Sequence, residues 1–287
     1  MMLDFVEKVA EFLSEIPFEF VIKRNIDGLN TQFYCPQKQI IIECISLADY
    51  RQADKIIIEN EHRTIRVWED VWTTKTNIVQ SRIRAIFGIS ERIPARLTKI
   101  QRIDKPLADQ FLNQNHLQAT VTAKLKYGLF LPPQYFRILK NKPITPQPLL
   151  VAVATFSGSK TIIRDGQPYR SYELIRFANL LNCTVVGGFD KVLKNFIKEQ
   201  NPDDIMSYAD RDWSDGNSYE QTGFELIGTT PPQGFWVNPL TFNRLTTHQK
   251  VIEATTDNFI KVQNVGNLKY LLNLKKNKKQ QADGSTI

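Results

Sequence analysis

The sequence predicts an α/β protein of two domains, and three observations carry that prediction. Short apolar runs that read as strands alternate with stretches whose apolar residues recur at helical spacing. A chain of 287 residues with 42% hydrophobic content has enough apolar material for two buried cores. A basic stretch between Ile78 and Lys105 falls where the two would join. The division this predicts is a small α/β domain over 1–90, a basic linker over 91–101, a mixed-sheet α/β domain over 102–274 and a disordered basic tail over 275–287.

In the first domain, Leu3, Val6, Val9, Ala10 and Leu13 line one face of a short helix. Gln39 to Cys44 is an apolar strand carrying Glu43, and Thr64 to Trp68 is another. A helix carrying Val79, Ile83 and Ile86 ends at Gly88, the residue type that suits a helix C-terminus. Beyond the linker, an apparent helix ends near His116 in Phe111-Leu-Asn-Gln-Asn-His. Pro132-Pro133 and the run from Pro143 to Pro148 mark loops ahead of a strand from Leu149 to Phe156.

Val185-Val186 ends an apolar run, Gly187-Gly188 follows, and Val192, Leu193, Phe196 and Ile197 then recur on one helical face. A helix therefore starts near Asp190. Its first turn offers unpaired N–H groups and the positive end of a dipole, and two glycines allow close approach to the backbone from Val186 to Lys191. That combination suits a pyrophosphate. The same residues also fit a plain strand-to-helix connection with Asp190 as N-cap, whose carboxylate would compete with a ligand for the same N–H groups. After the turn at Asn201-Pro202, Asp204 to Ala209 reads as a strand. Asp210-Arg211-Asp212-Trp213 and Tyr219-Glu-Gln-Thr-Gly-Phe224 complete the segment.

Composition restricts the partners. No apolar run approaches the roughly 20 residues that span a bilayer, and no signal core is visible, so a cytoplasmic protein without membrane contact is expected. Cys35, Cys44 and Cys183 are widely spaced, which fits a reducing compartment and no disulfide framework. Three histidines and no C-x-x-C predict no structural zinc. A net charge of +7 favours a polyanionic partner. Arg92, Arg96, Lys99 and Arg102 are the candidate DNA contacts, placed to follow one phosphate backbone, with a solvated charged surface as the alternative.

The order strand, glycine turn, helix, strand and Y-x-x-x-G-F resembles the second half of the GNAT acyltransferase superfamily. Tyr172-Glu-Leu-Ile-Arg-Phe177, Val186-Gly-Gly188, Ser207-Tyr-Ala-Asp-Arg211 and Gly216-Asn-x-Tyr-Glu-x-x-Gly-Phe224 are similar to phage Mom-type DNA-adenine modification proteins and to the C-terminal domain of phage Hef-like homing endonucleases. The likeness covers roughly Arg102 to Leu274. It implies a GNAT-like domain that uses acetyl-CoA or another acyl-CoA, with Val186, Gly187, Gly188, Lys191 and Asn217 on the cofactor side. One departure is that Thr184-Val-Val-Gly-Gly-Phe189 replaces the family's Q/R-x-x-G-x-G/A loop, which leaves the acyl donor open.

Acyl transfer to an amine needs a neutral amine, a donor to the developing oxyanion and a proton for the leaving thiolate. Tyr219 fits the general acid, Asp210 a group that orients or deprotonates the amine, Arg176 a phosphate or substrate contact, and His116 a substrate-side residue. Each has a structural alternative: Tyr219 packed under Phe224, Asp210 ion-paired with Arg211, Arg176 in an ion-pair network, and His116 as a cap. Tyr208 and Trp213 are candidates to stack on a flipped base, or core aromatics.

Thr64-Ile-Arg-Val-Trp-Glu-Asp-Val-Trp72 and Ile78-Val-Gln-Ser-Arg-Ile-Arg-Ala-Ile-Phe-Gly88 resemble phage relatives of the very-short-patch repair nucleases, in the PD-(D/E)xK class. Metal-dependent cleavage needs clustered carboxylates. Here Asn30 stands at the family's acidic position in Gly28-Leu29-Asn30, and no lysine follows two residues after Glu43. Glu7 and Glu11 are the remaining nearby acids. The expectation is a nuclease-like module that has lost cleavage, joined to a phage or mobile-element acyltransferase acting on a DNA amine, with that of adenine as the implied example. A homing-type endonuclease and a non-catalytic DNA-binding protein are the alternatives.

Overall fold

A computed structural model describes residues 4–24, 30–50, 62–246 and 259–275. Gly28, Leu29 and the tail from Lys276 onward lie outside the described residues. In chain order the first elements are α1 (Phe5–Ser14), β1 (Val21–Arg24), β2 (Thr31–Cys35), β3 (Ile40–Ile45), α2 (Leu47–Tyr50), β4 (Arg63–Trp68) and α3 (Glu69–Ile86). Next come β5 (Glu91–Pro94), β6 (Lys99–Arg102), α4 (Lys105–Asn115), β7 (Leu125–Leu131), β8 (Leu149–Phe156), β9 (Lys160–Arg164), β10 (Gln167–Asn179), β11 (Cys183–Val186) and α5 (Gly188–Gln200). The chain continues through β12 (Asp204–Asp210), α6 (Asn217–Glu220), β13 (Glu225–Thr229), β14 (Gly234–Val237), β15 (Arg244–Thr246), β16 (Ile260–Gln263) and β17 (Asn267–Asn273). The fold is mixed α/β, with one large mixed sheet.

Two compact units divide this chain, and they are not the consecutive blocks expected from sequence. The first takes 1–80, 209–215 and 229–268, and the second takes 81–208, 216–228 and 269–287. Two returns of the chain to the first unit account for the difference. The apolar residues Val237, Ile260 and Val262 of the three-stranded sheet β15-β14-β16 share a core with Ile45, Leu47 and Trp68. The 91–101 segment is not a linker either. β5 pairs in parallel with β11, a 3-10 turn covers 95–97, and β6 is an edge of the large sheet. Its regularity is hidden in the sequence because the buried Ile93, Ala95 and Thr98 are interspersed with Pro94 and with the exposed Arg92, Arg96 and Lys99.

In the first unit α1 begins with a reciprocal cap: Glu7 N donates to Asp4 Oδ1 at 2.7 Å and Asp4 N donates to Glu7 Oε2 at 3.0 Å. Glu7 is thereby committed to the helix end. Strands β1, β2 and β3 are antiparallel and β3 pairs in parallel with β4. β3 is buried on both faces, as suits a run that is apolar except at Glu43.

In the second unit the sheet order is β13-β17-β12-β10-β8-β7-β6, with β9 paired to β10. The β9–β10 hairpin turns on Asp165-Gly166, both at positive φ, because Arg164 and Gln167 are register partners. Helix α4 sets Ala108, Phe111 and Leu112 on Val153 and Ala178. On the opposite face Phe196 of α5 stacks on Phe156, ring centres 3.8 Å apart, with Tyr127 and Tyr172 meeting it edge-on. Side chains alternate along β8, so Val153 and Phe156 serve different faces and the sheet is covered on both. Among the described residues no helix is long and apolar enough to cross a membrane.

Candidate functional site

The large sheet of the second unit has a place where β10 and β12 part. The two strands pair in parallel from Ser171–Asp204 to Leu174–Ser207, and each then continues without its partner, β10 to Asn179 and β12 to Asp210. The register of β10 against β8 shifts at the same place, between Leu174 and Arg176. A parallel pair needs a crossover, and here it is β11 and α5. The start of α5 therefore follows directly on the end of β11, within the crossover from β10 to β12.

The glycine turn differs from its sequence reading in several ways. Helix α5 starts at Gly188, with Gly187 as N-cap at φ +76, a conformation costly for any residue with a Cβ. Gly188 is buried, and a Cβ there would lie 2.9 Å from Val185 Cγ1 and 3.2 Å from Leu129 Cδ1. Its smallness is therefore set by packing the helix start onto β11 and β7. Asp190 is not the N-cap. Its carboxylate bonds Lys194 Nζ at 2.8 Å and no side chain caps the helix, so the expected competition for the first-turn N–H groups is absent. Lys191 is committed elsewhere: Nζ donates to Ala95 O at 2.8 Å and to Thr98 O at 2.5 Å, and burial lowers its pKa. It anchors the 3-10 turn. Val186 and Asn217 are exposed, and Asn217 opens α6, its carbonyl accepting from Gln221 N at 3.0 Å.

Tyr219 is the residue on which the second unit converges. Its ring stacks on Tyr270 at 5.0 Å and meets Phe224 at 5.6 Å and Phe189 at 5.5 Å edge-on. Phe189 also packs edge-on to Phe177 at 5.3 Å, which ties the first turn of α5 to β10 and to α6. The packing role expected from sequence is thus real, and the hydroxyl has a partner as well, lying 3.2 Å from Ser207 Oγ. Burial raises the phenol pKa, while the Ser207 hydrogen bond and the charges of Arg82 and Arg176 act in the opposite direction. Gly216, at φ +85, is forced by the same cluster, because a Cβ there would sit 1.7 Å from the Tyr270 hydroxyl.

Other candidates have local duties. Arg176 is half-buried, donates from Nη1 to Ile175 O at 2.9 Å and adds positive charge near Tyr219. His116 ends α4, and its Nδ1 accepts from Gln118 N at 3.1 Å, which matches the capping alternative. Asp210 belongs to the first unit, where Oδ1 accepts from Asp212 N at 3.0 Å and its carbonyl accepts from Trp213 N and Ser214 N. That is a turn-forming role. Arg211 donates to Val265 O at 3.0 Å. Trp213 is buried, a core aromatic, whereas Tyr208 is exposed.

Of the basic cluster, Arg92, Arg96 and Lys99 are exposed. Arg102 is engaged: Nε donates to Glu199 Oε1 at 2.9 Å, the guanidinium lies 4.5 Å over the Tyr127 ring, and Tyr127 Oη donates to Glu199 Oε2 at 2.8 Å. Arg102 holds the Glu199 carboxyl below its ordinary pKa. Arg84 donates to Asn182 Oδ1 at 3.3 Å. Sequence reasoning assigns no role beside Tyr219 to Ser207, Arg82, Phe189 or Tyr270, which come to it from four separate elements.

The first unit shows no nuclease-like centre among the described residues. Glu43 is fully buried, with Gln32 Nε2 at 3.0 Å and Arg66 Nε at 3.1 Å, and no group of three or more His, Cys, Asp or Glu is placed to hold a metal. Gln32, Glu43 and Arg66 are register partners across β2, β3 and β4, so the row is a cross-strand polar contact. Asn30 is also buried. Burial drives the Cys44 thiol far above its ordinary pKa, so it stays protonated.

No protein-family model matches the chain, and no curated protein matches it. Similar solved structures include a Bacillus subtilis acetyltransferase in complex with CoA, at 11% identity over 62% of this chain and 99% of that one, TM-score 0.36. A histone acetyltransferase and related acetyltransferase from Corynebacterium glutamicum matches at 11% identity over 61% and 95%, TM-score 0.35. The KacTA–DNA complex matches at 14% identity over 65% and 99%, TM-score 0.33. Likeness at this level does not define an activity.

Proposed function

We propose that the second unit is an N-acyltransferase that takes an acyl group from a CoA-type thioester and delivers it to an amine of nucleic acid. The observation that carries this reading is the placement of Tyr219. Its hydroxyl meets Ser207 at the last paired position of β10 and β12, and its ring packs on Phe189 in the first turn of α5. A proton donor and an anion-favouring helix start are thus joined through one side chain. The residues fit an acyl-CoA in part: Gly187 and the first turn of α5, without a side-chain cap, suit the pyrophosphate, whereas Lys191 is engaged elsewhere. When bound, the thioester supplies the activated acyl group. Tyr219 holds the proton that the leaving sulfur requires, and Arg176 adds positive charge beside it.

The acceptor side of the proposal rests on charge. Arg92, Arg96 and Lys99 are exposed, on a protein of net charge +7, and suit a phosphate backbone. An exocyclic base amine such as that of adenine is the acceptor proposed, and within a duplex that base must leave the stack to react. The phage-type DNA-modifying role read from sequence motifs belongs to this proposal. The endonuclease alternative is disfavoured by the burial and pairing of Glu43. Isothermal titration with acetyl-CoA and longer acyl-CoA species tests the donor, and mass spectrometry of nucleosides from DNA of expressing cells tests the acceptor. Absence of binding to every CoA species would leave a nucleic-acid-binding module without turnover.

A further inference from the structure

We propose that Ser207 is a positioning residue for Tyr219, holding the phenol where β10 and β12 part and donating to the phenolate formed when Tyr219 gives up its proton. The step it serves rests on the transferase reading, whereas the contact itself does not.

Ser207 is fully buried on β12, and its Oγ lies 2.9 Å from Leu174 O and 3.2 Å from Tyr219 Oη. Leu174 is its register partner and the last paired residue of β10. A serine hydroxyl has one proton for these two contacts and spare lone pairs to accept with. While Tyr219 is protonated, Ser207 can donate to the Leu174 carbonyl and accept from the phenol. Once the phenol has lost its proton, turning the serine O–H towards the phenolate makes a charge-assisted hydrogen bond, the stronger of the two arrangements.

The neighbours explain why a serine matters there. Phe189 and Phe224 offer no donor, and the Tyr270 hydroxyl donates to Glu220 Oε1 at 3.1 Å. Arg82 and Arg176 contribute positive charge, and Ser207 supplies the hydrogen-bonding hydroxyl. In the transfer step the Tyr219 O–H bond breaks and an S–H bond forms on the leaving thiol, while the electron pair stays on the phenolate oxygen. The attacking amine releases one proton to water as its bond to the acyl carbon replaces the carbon–sulfur bond, and water later returns one proton to Tyr219. Protons and electrons balance without a further reactant.

The test measures the phenol directly. Full-length protein carrying difluorotyrosine, whose phenol titrates at lower pH than tyrosine, is followed by fluorine NMR, with the Tyr219 resonance assigned by its loss in Tyr219→Phe. Ser207→Ala is expected to raise the phenol pKa by about 1 to 2 units, the size of a hydrogen bond to a charged group. Ser207→Thr, which keeps a hydroxyl, is expected to restore the wild-type value. An unchanged pKa in Ser207→Ala overturns the proposal. If that variant does not fold, Ser207→Cys is read instead: a weaker donor must raise the pKa, and no rise again overturns it. Titration of acetyl-CoA into the wild type separates the two ideas, since failure to bind removes the transferase reading and leaves the effect of Ser207 standing.

Discussion

Asp212→Asn is expected to make the protein more tolerant of alkaline pH, by an amount that grows between acid and neutral conditions. Asp212 is buried, accepts from Trp68 Nε1 at 3.0 Å and has its pKa pushed up from 3.8 to about 7, by burial first and then by Asp210. Trp68, Arg66 and Arg244 oppose that rise. In the folded state the proton is held up to about pH 7, while in the unfolded state it leaves near 3.8. Between those values the unfolded chain binds fewer protons, so stability falls as pH rises and levels off above the folded pKa. The full span is about 3 units, or about 4 kcal/mol. Asparagine keeps the acceptor for Trp68 and removes the ionisation.

A constant offset accompanies the substitution. Asp212 Oδ1 has no hydrogen-bond partner among the described residues, and an amide NH₂ placed there loses about 1 to 3 kcal/mol if it stays unsatisfied. That loss is the same at every pH, so the slope is the signature and not the absolute stability. Urea unfolding of both proteins, followed by tryptophan fluorescence at about pH 5 and about pH 8, should show the variant gaining about 2 to 3 kcal/mol relative to wild type across that interval. A stability difference that does not change with pH would mean that Asp212 is ionised throughout, and the reasoning from burial would be wrong.

Tyr219→Phe should lower acyl transfer by about 10² to 10⁴ while leaving CoA affinity nearly unchanged, read by single-turnover transfer beside calorimetry. Reversing Arg92, Arg96 and Lys99 to Glu should weaken DNA binding and flatten the slope of log K against log salt by about 0.9 for each phosphate no longer neutralised. Arg102→Glu should act mainly on thermal stability, because Arg102 already pairs with Glu199. Gly188→Val and Gly216→Ala should both lower the unfolding temperature with no ligand present, the first through Val185 and Leu129 and the second through the Tyr270 hydroxyl. Glu43→Gln should destabilise the first unit by removing the buried carboxylate charge that faces Arg66, and neither it nor wild type should cleave plasmid DNA with Mg²⁺.

What is legible in the sequence is local, and what is not legible is assembled across distance. Val192, Leu193 and Phe196 at helical spacing mark α5, and the apolar run ending at Phe156 marks β8, because each pattern sits within a few residues. The glycine pair announces a turn, but its two members do different things: Gly187 supplies a positive φ, and Gly188 makes room for Val185 and Leu129. Only the second depends on a strand over fifty residues earlier, so sequence spacing offers no means of separating them. The same limit hides the engagement of Lys191 by carbonyls of 95 and 98 and of Arg102 by Glu199. A basic residue in a sequence reads as available charge; its partner decides whether it is. Tyr219 and Ser207, twelve residues earlier, both sit in recognisable runs, but only the phenol suggests a chemical role by its residue type. Nothing distinguishes a strand serine that bonds a carbonyl from one that faces a phenol until β10 and β12 stop pairing beside it. The chemistry proposed for Tyr219 therefore depends on a feature of the sheet, the early end of one parallel pair, more than on any residue type alone.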